Sequence, residues 1–476
     1  MSKKSISLLE ASLVLIGMLI IMGSGVIIFH LSPQTPVLAT IALLMLWARI
    51  HRFEWAEIHG GIEDGLKSGI IPIIIFILVG ALISTWMAAG VIPTLMVWGF
   101  QIVNVHWFIP SIFVVCALVG SAIGSAFTVI STVGIAFFGI GATLGLDTTI
   151  VAAAIISGAI FGDKSSPLSQ STNLTAAVTE TDLFDHIKNL MWSTIPAFVG
   201  ALILYAIIGH TSQDASLTKI HTTVAILKAN SHISLLALIP IILIFVCARL
   251  KMPAIPTLFL NIAVSIGLVF FHNPHTSLQT IANLIENGFV AHTGNQSINA
   301  LLSRGGINSM LSTVALIILT LTLGGLLMRL GLIERVMTPL AKHLQTPGQL
   351  ISAVIASGIG VNLFIGEEFL SVILPGKAFK STFEKSDLSN LALGRALEDG
   401  GTVINYLIPW GVAGVFAANT LGVPTLSYLP FCFFSILSPI FSILSAVTGV
   451  GLKHKERWQA WLTSEYSLKW WIMTAF

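Results

Sequence analysis

The sequence predicts an all-α polytopic membrane protein, made of two inverted five-helix repeats that each carry a re-entrant hairpin and a broken helix. Three observations lead there: the composition, a series of long apolar runs, and an internal match between the two halves. Of 476 residues, 55% are hydrophobic and only 9% charged, and the mean hydropathy is +0.92. A soluble domain carries about a quarter charged residues, so this chain lacks the polar side chains to coat a water-facing surface. Most of its surface must face the lipid bilayer. A net charge of +2 leaves no basic footprint for nucleic acid. Cys116, Cys247 and Cys432 lie far apart in apolar runs, without metal spacing, and read as core residues.

A membrane-crossing helix needs roughly 20 mostly apolar residues. Single spans are expected near 9–29, 35–50, 69–89, 149–177, 190–209, 233–249, 253–271, 311–328, 388–418 and 425–450. The first follows Lys3-Lys4 without an obvious cleavage site and reads as a retained anchor. Two further runs, 105–145 and 347–375, are interrupted by Gly120-Ser121-Ala122-Ile123-Gly124-Ser125 and by Ser357-Gly358-Ile359-Gly360. Each fits two full spans or a hairpin that enters and leaves by one face, and the Gly- and hydroxyl-rich tips favour the hairpin. With a cytoplasmic N-terminus, 18 Lys and Arg fall inside and 3 outside, as the positive-inside rule requires. That count orients the chain with both termini cytoplasmic. It does not separate hairpins from paired spans, because both cross an even number of times.

The two hairpin regions align without a gap at an offset of 236 residues, which pairs Ser121 with Ser357, Gly158 with Gly394 and Asp163 with Asp399. Upstream, Gly80-Ala81-Leu82 matches Gly324-Gly325-Leu326 at an offset of 244. Identities are sparse, but the order of span, span, span, hairpin, broken span, span is shared. Five crossings per unit make the second unit inverted, a plan typical of transporters with sites at midplane helix breaks. The repeats are assigned to 1–210 and 233–452, with a connecting segment at 211–232 and a cytoplasmic tail at 453–476.

Polar residues interrupt both broken spans. The first break runs from Gly162 to Asn173 and contains Asp163, Lys164, Ser166, Pro167, Ser169, Gln170 and Thr172. Pro167 removes a backbone donor and clashes with the preceding turn, so the helix cannot pass straight through. Freed carbonyls and hydroxyls within a membrane are tolerated where they line a cavity or bind an ion; the alternative is a surface loop. The second break starts at Glu398-Asp399-Gly400-Gly401-Thr402 and continues through Asn405 to Pro409. Arg395 is spaced to pair with Glu398 or Asp399 on a helix. The hairpins add Ser125 and Thr128 on one side, Glu367 and Glu368 on the other. A hydroxyl in a membrane helix commonly bonds its own backbone. A carboxylate there costs a few kcal/mol unless paired, hydrated or protonated.

These groups suit cation and proton exchange. Sodium is a small hard cation that takes oxygen ligands, and desolvation disfavours a bare carboxylate. One acid can then hold either a proton or a sodium ion, the minimum chemistry of an antiporter. Asp163 and Asp399 are the first candidates for sodium, with Glu367 or Glu368 next, and Ser166, Ser169, Thr172, Asn173 and Thr402 completing the oxygens. Lys164 and Arg395 serve as counter-charges or hold the carboxylate of an organic anion.

The string Gly162 to Leu174, GDKSSPLSQSTNL, closely resembles the GDKxSPLSDTTNL signature of the NhaC-type sodium/proton antiporters. Leu397 to Trp410, which opens LEDGGT and closes LIPW, resembles that family's second signature, and Val372 to Gly376 fits as well. The resemblance covers nearly the whole chain. It implies membership of the ion-transporter superfamily, a prokaryotic plasma membrane, a homodimer, an elevator-type movement, and no cofactor beyond the transported sodium and protons. It also implies Asp163, Ser166, Ser169, Thr172 and Asn173 at one ion site and Asp399 and Thr402 at another, with Glu367 where the family commonly has aspartate. Gln170 stands where the family has an acid, which removes one candidate charge. Some members exchange malate and lactate, so a carboxylate or amino acid coupled to sodium or protons is the alternative substrate.

No H-E-x-x-H, nucleophile elbow or phosphate loop occurs, which argues against an enzyme. The histidines scatter near span ends, and His186, beside Asp185, is expected in an inside loop, as a solvated side chain or, in the alternative, a pH sensor.

Overall fold

A computed structural model describes residues 6–102, 107–209, 217–250, 252–342, 344, 346–386 and 388–452. The expected cytoplasmic tail lies outside the described residues. Regular structure among the described residues is helical. Seven helices are long and apolar enough to cross a membrane: Leu8–Ile28, Gly69–Ala88, Ala126–Thr143, Leu183–Ile208, Ala254–His272, Ile307–Arg329 and Pro347–Ile365. Three bent pairs raise the number to as many as ten where each pair forms one span: Thr222–Asn230 with Leu235–Cys247, Asn390–Leu407 with Val412–Leu421, and Thr425–Phe431 with Phe433–Thr448. Leu9, Ile20, Leu235 and Phe271 are each more than half exposed, a surface that only lipid accepts in such density. The chain is a multi-pass membrane protein.

The third span is longer than its apolar run. Its helix begins at Trp55 rather than near 69, because Glu54 and Glu57 form a reciprocal capping box at its start. Gly61 and Gly65 on the added turns lie against Gly325 and Leu321 of Ile307–Arg329, and small residues let the two backbones touch.

The second hairpin turns later than expected. Ser357 to Gly360 are helical, inside Pro347–Ile365, and the chain reverses at Gly366-Glu367 before Glu368–Lys385. The small residues serve packing instead: a Cβ at Gly358 would sit 2.8 Å from the Gly400 carbonyl carbon. The second break is displaced for a related reason. Glu398–Thr402 stays helical as a single wide turn after Asn390–Leu397, and the interruption falls at Ile408 to Gly411, around Pro409. The first hairpin turns at Gly124-Ser125, between Phe108–Ile123 and Ala126–Thr143. The first break separates Thr148–Ser165 from Gln170–Thr179.

Candidate functional site: a cavity between two hairpin tips and two helix breaks

The tips and breaks repeat at a constant spacing of 242 residues, not 236. Gly124 and Gly366 both end a helix in the left-handed region, at φ +72 and +74, a conformation glycine adopts without steric penalty. Their N–H groups bond Gly120 and Asn362 carbonyls, each at 2.7 Å. Ser125 caps the N–H of Thr128 and Glu367 caps that of Leu370. Each tip presses on its own break: a Cβ at Gly124 would meet Leu168 and Ser169 at 2.7 Å, and one at Gly366 would meet Gly411 at 2.9 Å. Gly158 abuts the Phe113 carbonyl as Gly400 abuts that of Ile355. The helices after the breaks end at left-handed Glu180 and Gly422. By this register Asp163 corresponds to Asn405, and Asp399 has no acidic counterpart in the first half. Sequence alignment misplaced the pairing because it matched small residues that pack helices with small residues that turn the chain.

Both tips and both breaks line one cavity of about 570 Å³. Its polar wall includes Ser125, Thr128, Asp163, Gln170, Ser171, Asn173, Glu367, Glu368 and Asn405, and its apolar wall includes Phe76, Phe127, Phe184 and Phe369. The charged lining side chains among the described residues are Asp163, Glu367 and Glu368. Each is 7% exposed. The Asp163 carboxylate faces the Ser169 side chain and the Ala126 backbone. Glu367 accepts from Leu370 N–H at 2.8 Å, and Glu368 faces Ser171, whose hydroxyl shares a hydrogen bond with that of Ser169 at 2.9 Å.

Four helices begin at this cavity, at Ala126, Gln170, Glu368 and Val412. A helix N-terminus acts as roughly half a positive charge. Four such ends offset about two of the three carboxylates when all three are ionised. One N–H group at each of these ends is already taken by Ser125, Ser169, Glu367 or Asn405.

Asp399 and Lys164 lie elsewhere, behind this wall. They form an ion pair of 2.5 Å with both side chains fully buried. Ser193 donates to Asp399 Oδ2 at 2.8 Å and Ser438 to Oδ1 at 2.6 Å, and the Lys164 ammonium also donates to Ser438 at 2.9 Å. Asp163 and Lys164 are neighbours, but consecutive helical side chains point about 100° apart, so one meets the cavity and the other the helix interface. Arg395 pairs with neither Glu398 nor Asp399. Its guanidinium donates to Ser445 Oγ at 2.9 Å and to the Gly451 carbonyl at 3.2 Å, which ties down the end of Phe433–Thr448. Glu398 faces His186 at 3.7 Å, both fully buried. The solvated loop expected for His186 is therefore wrong: Asp182 caps a helix that starts at Leu183 and carries His186 inward against Gly394.

Ser166 and Ser169 bond N–H groups within the break, and Thr172 Oγ1 donates to the Lys164 carbonyl at 3.4 Å. These three shape the break without lining the cavity. Asn173 does line it, and donates to the Pro167 and Ser169 carbonyls. Thr402 is buried away from it, its hydroxyl without a hydrogen bond. Residue-by-residue reasoning missed Ser171 and Asn405. The 242-residue spacing of Pro167 and Pro409 was the signal that pointed to Asn405.

The profile of the Na+/H+ antiporter family matches residues 158–450. The chain belongs to that family. This antiporter is 39% identical to the Na(+)/H(+) antiporter NhaC of Alkalihalophilus pseudofirmus, over 94% of the chain and 96% of that protein. It is 37% identical to the Bacillus subtilis protein of the same name, over 93% and 98%. It is also 31% identical to the malate-2H(+)/Na(+)-lactate antiporter of Bacillus subtilis, over 93% and 95%. The family identifies a sodium/proton antiporter, a carrier of ions rather than an enzyme.

Proposed function

We propose that this antiporter exchanges sodium for protons at the cavity, with Asp163 as the central carboxylate and Glu368 and Glu367 completing an acidic cluster. The observation that carries this is the lining: three acids and no Lys, Arg or His among the described residues. Sodium would draw oxygens from Asp163, Ser125, Thr128, Gln170, Ser171 and Asn173, and protons would occupy the same carboxylates in its absence. Lys164, Asp399, Arg395 and Glu398 act in this reading as internal charge pairs and anchors, not as ligands. The halves 1–210 and 233–452 are inverted repeats, the hairpins re-enter from opposite faces, and both termini are cytoplasmic in the plasma membrane. A homodimer with elevator movement completes the scheme. The recurring 242-residue geometry supports the repeat.

A carboxylate substrate is the competing reading, favoured by the 31% identical malate-2H(+)/Na(+)-lactate antiporter. The cavity argues against it, because both candidate anion holders are committed elsewhere: Lys164 to Asp399, Arg395 to Ser445 and Gly451. The test uses purified protein in proteoliposomes with an internal pH probe. A sodium gradient imposed without organic acid should drive proton movement, lost at least ~10-fold in Asp163→Asn, about 1.4 kcal/mol. No response until malate or lactate is added would sink the sodium/proton reading and favour the carboxylate.

A further inference from the structure

The two breaks are built alike but charged differently. Asp163 precedes Pro167 by the same interval that separates Asn405 from Pro409, and both line the cavity. Around them the same contacts recur at 242 residues: tip glycine on break, capped hairpin arm, glycine against the facing carbonyl, left-handed end of the following helix. A position so repeated would be expected to carry the same chemistry. Here one twin is a carboxylate and the other an amide of the same shape. Asn405 Oδ1 accepts from the Ala413 N–H at 3.2 Å, and its Nδ2 donates to Asn362 Oδ1 at 2.7 Å. Its amide thus satisfies the start of the helix at Val412 without adding charge.

We infer that Asn405 is the neutral twin of Asp163 in the binding site, and that its lack of charge limits the cavity to one break-borne carboxylate per cycle. The inference rests on the cation reading of the cavity. If the twins are equivalent, the carboxylate can be moved from one break to the other. Aspartate at 405 still accepts from Ala413. The oxygen it turns toward Asn362 meets another oxygen, because the Asn362 amide already donates to the Gly401 carbonyl at 2.6 Å, so the Asn405→Asp carboxyl keeps that contact only in its protonated form, donating to Asn362 Oδ1.

The experiment is a charge swap in proteoliposomes under an inward or outward sodium gradient. Asp163→Asn should lower sodium-driven proton movement at least ~10-fold, as above. The double variant D163N/N405D should exchange at least fivefold faster than D163N alone. A double variant that elutes like the wild type but exchanges no faster than D163N overturns the assignment. Should the double variant fail to fold, N405D in an otherwise unchanged chain decides. It should lower the sodium concentration for half-maximal exchange at least threefold, and an unchanged sodium and pH dependence overturns the twin. Absence of exchange in the wild type would overturn the cation reading itself, and the assignment with it.

Discussion

Removing the carboxylate of Asp399 isolates a buried cation. In Asp399→Asn the Lys164 ammonium keeps Ser193 and Ser438, at 3.1 and 2.9 Å, but loses its counter-charge at 2.5 Å. Neither side chain has exposed surface, so water cannot replace it. Two unit charges about 4 Å apart interact by about 4 kcal/mol at an effective dielectric near 20. Breaking one side of a buried pair costs about 3–5 kcal/mol. The single variants D399N and K164Q should therefore each lower the thermal unfolding midpoint of the detergent-solubilised protein. The double variant K164Q/D399N should recover more than half of the loss, because the amide pair still offers donors and acceptors to both serines. A double-mutant cycle separates the pair from its surroundings. Losses that simply add in the double variant would refute an ion pair that holds Thr148–Ser165 against the Glu398–Thr402 turn.

Other consequences follow from single contacts. Gly124→Ala and Gly366→Ala place a Cβ within 3 Å of break backbone at positive φ; the left-handed region alone costs about 1–2 kcal/mol. Each should slow sodium-driven proton movement at least ~10-fold, which initial rates in proteoliposomes would check. Arg395→Lys retains the charge but not the fork that reaches Ser445 and Gly451 together; it should lower the unfolding midpoint while Lys377→Arg, at a site whose side chain is exposed, leaves it unchanged. The free thiols of Cys116, Cys247 and Cys432 are buried, so a membrane-impermeant maleimide should label them only after denaturation, as mass spectrometry would show.

That this chain crosses a membrane many times, and that its helices break near acids, can be read along the chain alone. Hydropathy is a sum over neighbouring residues, and Pro167 and Pro409 interrupt helices through strictly local sterics, so both were legible along the chain. The first hairpin turn was legible for the same reason. Which polar group faces which depends on the packing of distant segments. Gly358 looks like part of a turn but packs its helix against Gly400, and this shifted the expected repeat register by six residues. It hid the correspondence of Asp163 with Asn405. Asp163 and Lys164 are adjacent in sequence, yet one faces the cavity and the other Asp399, 235 residues away. Arg395, spaced to reach Glu398 and Asp399, anchors Ser445 and Gly451 instead. Partner choice among buried charges depends on helix azimuth and on groups brought in from distant segments, and neither is a property of local sequence.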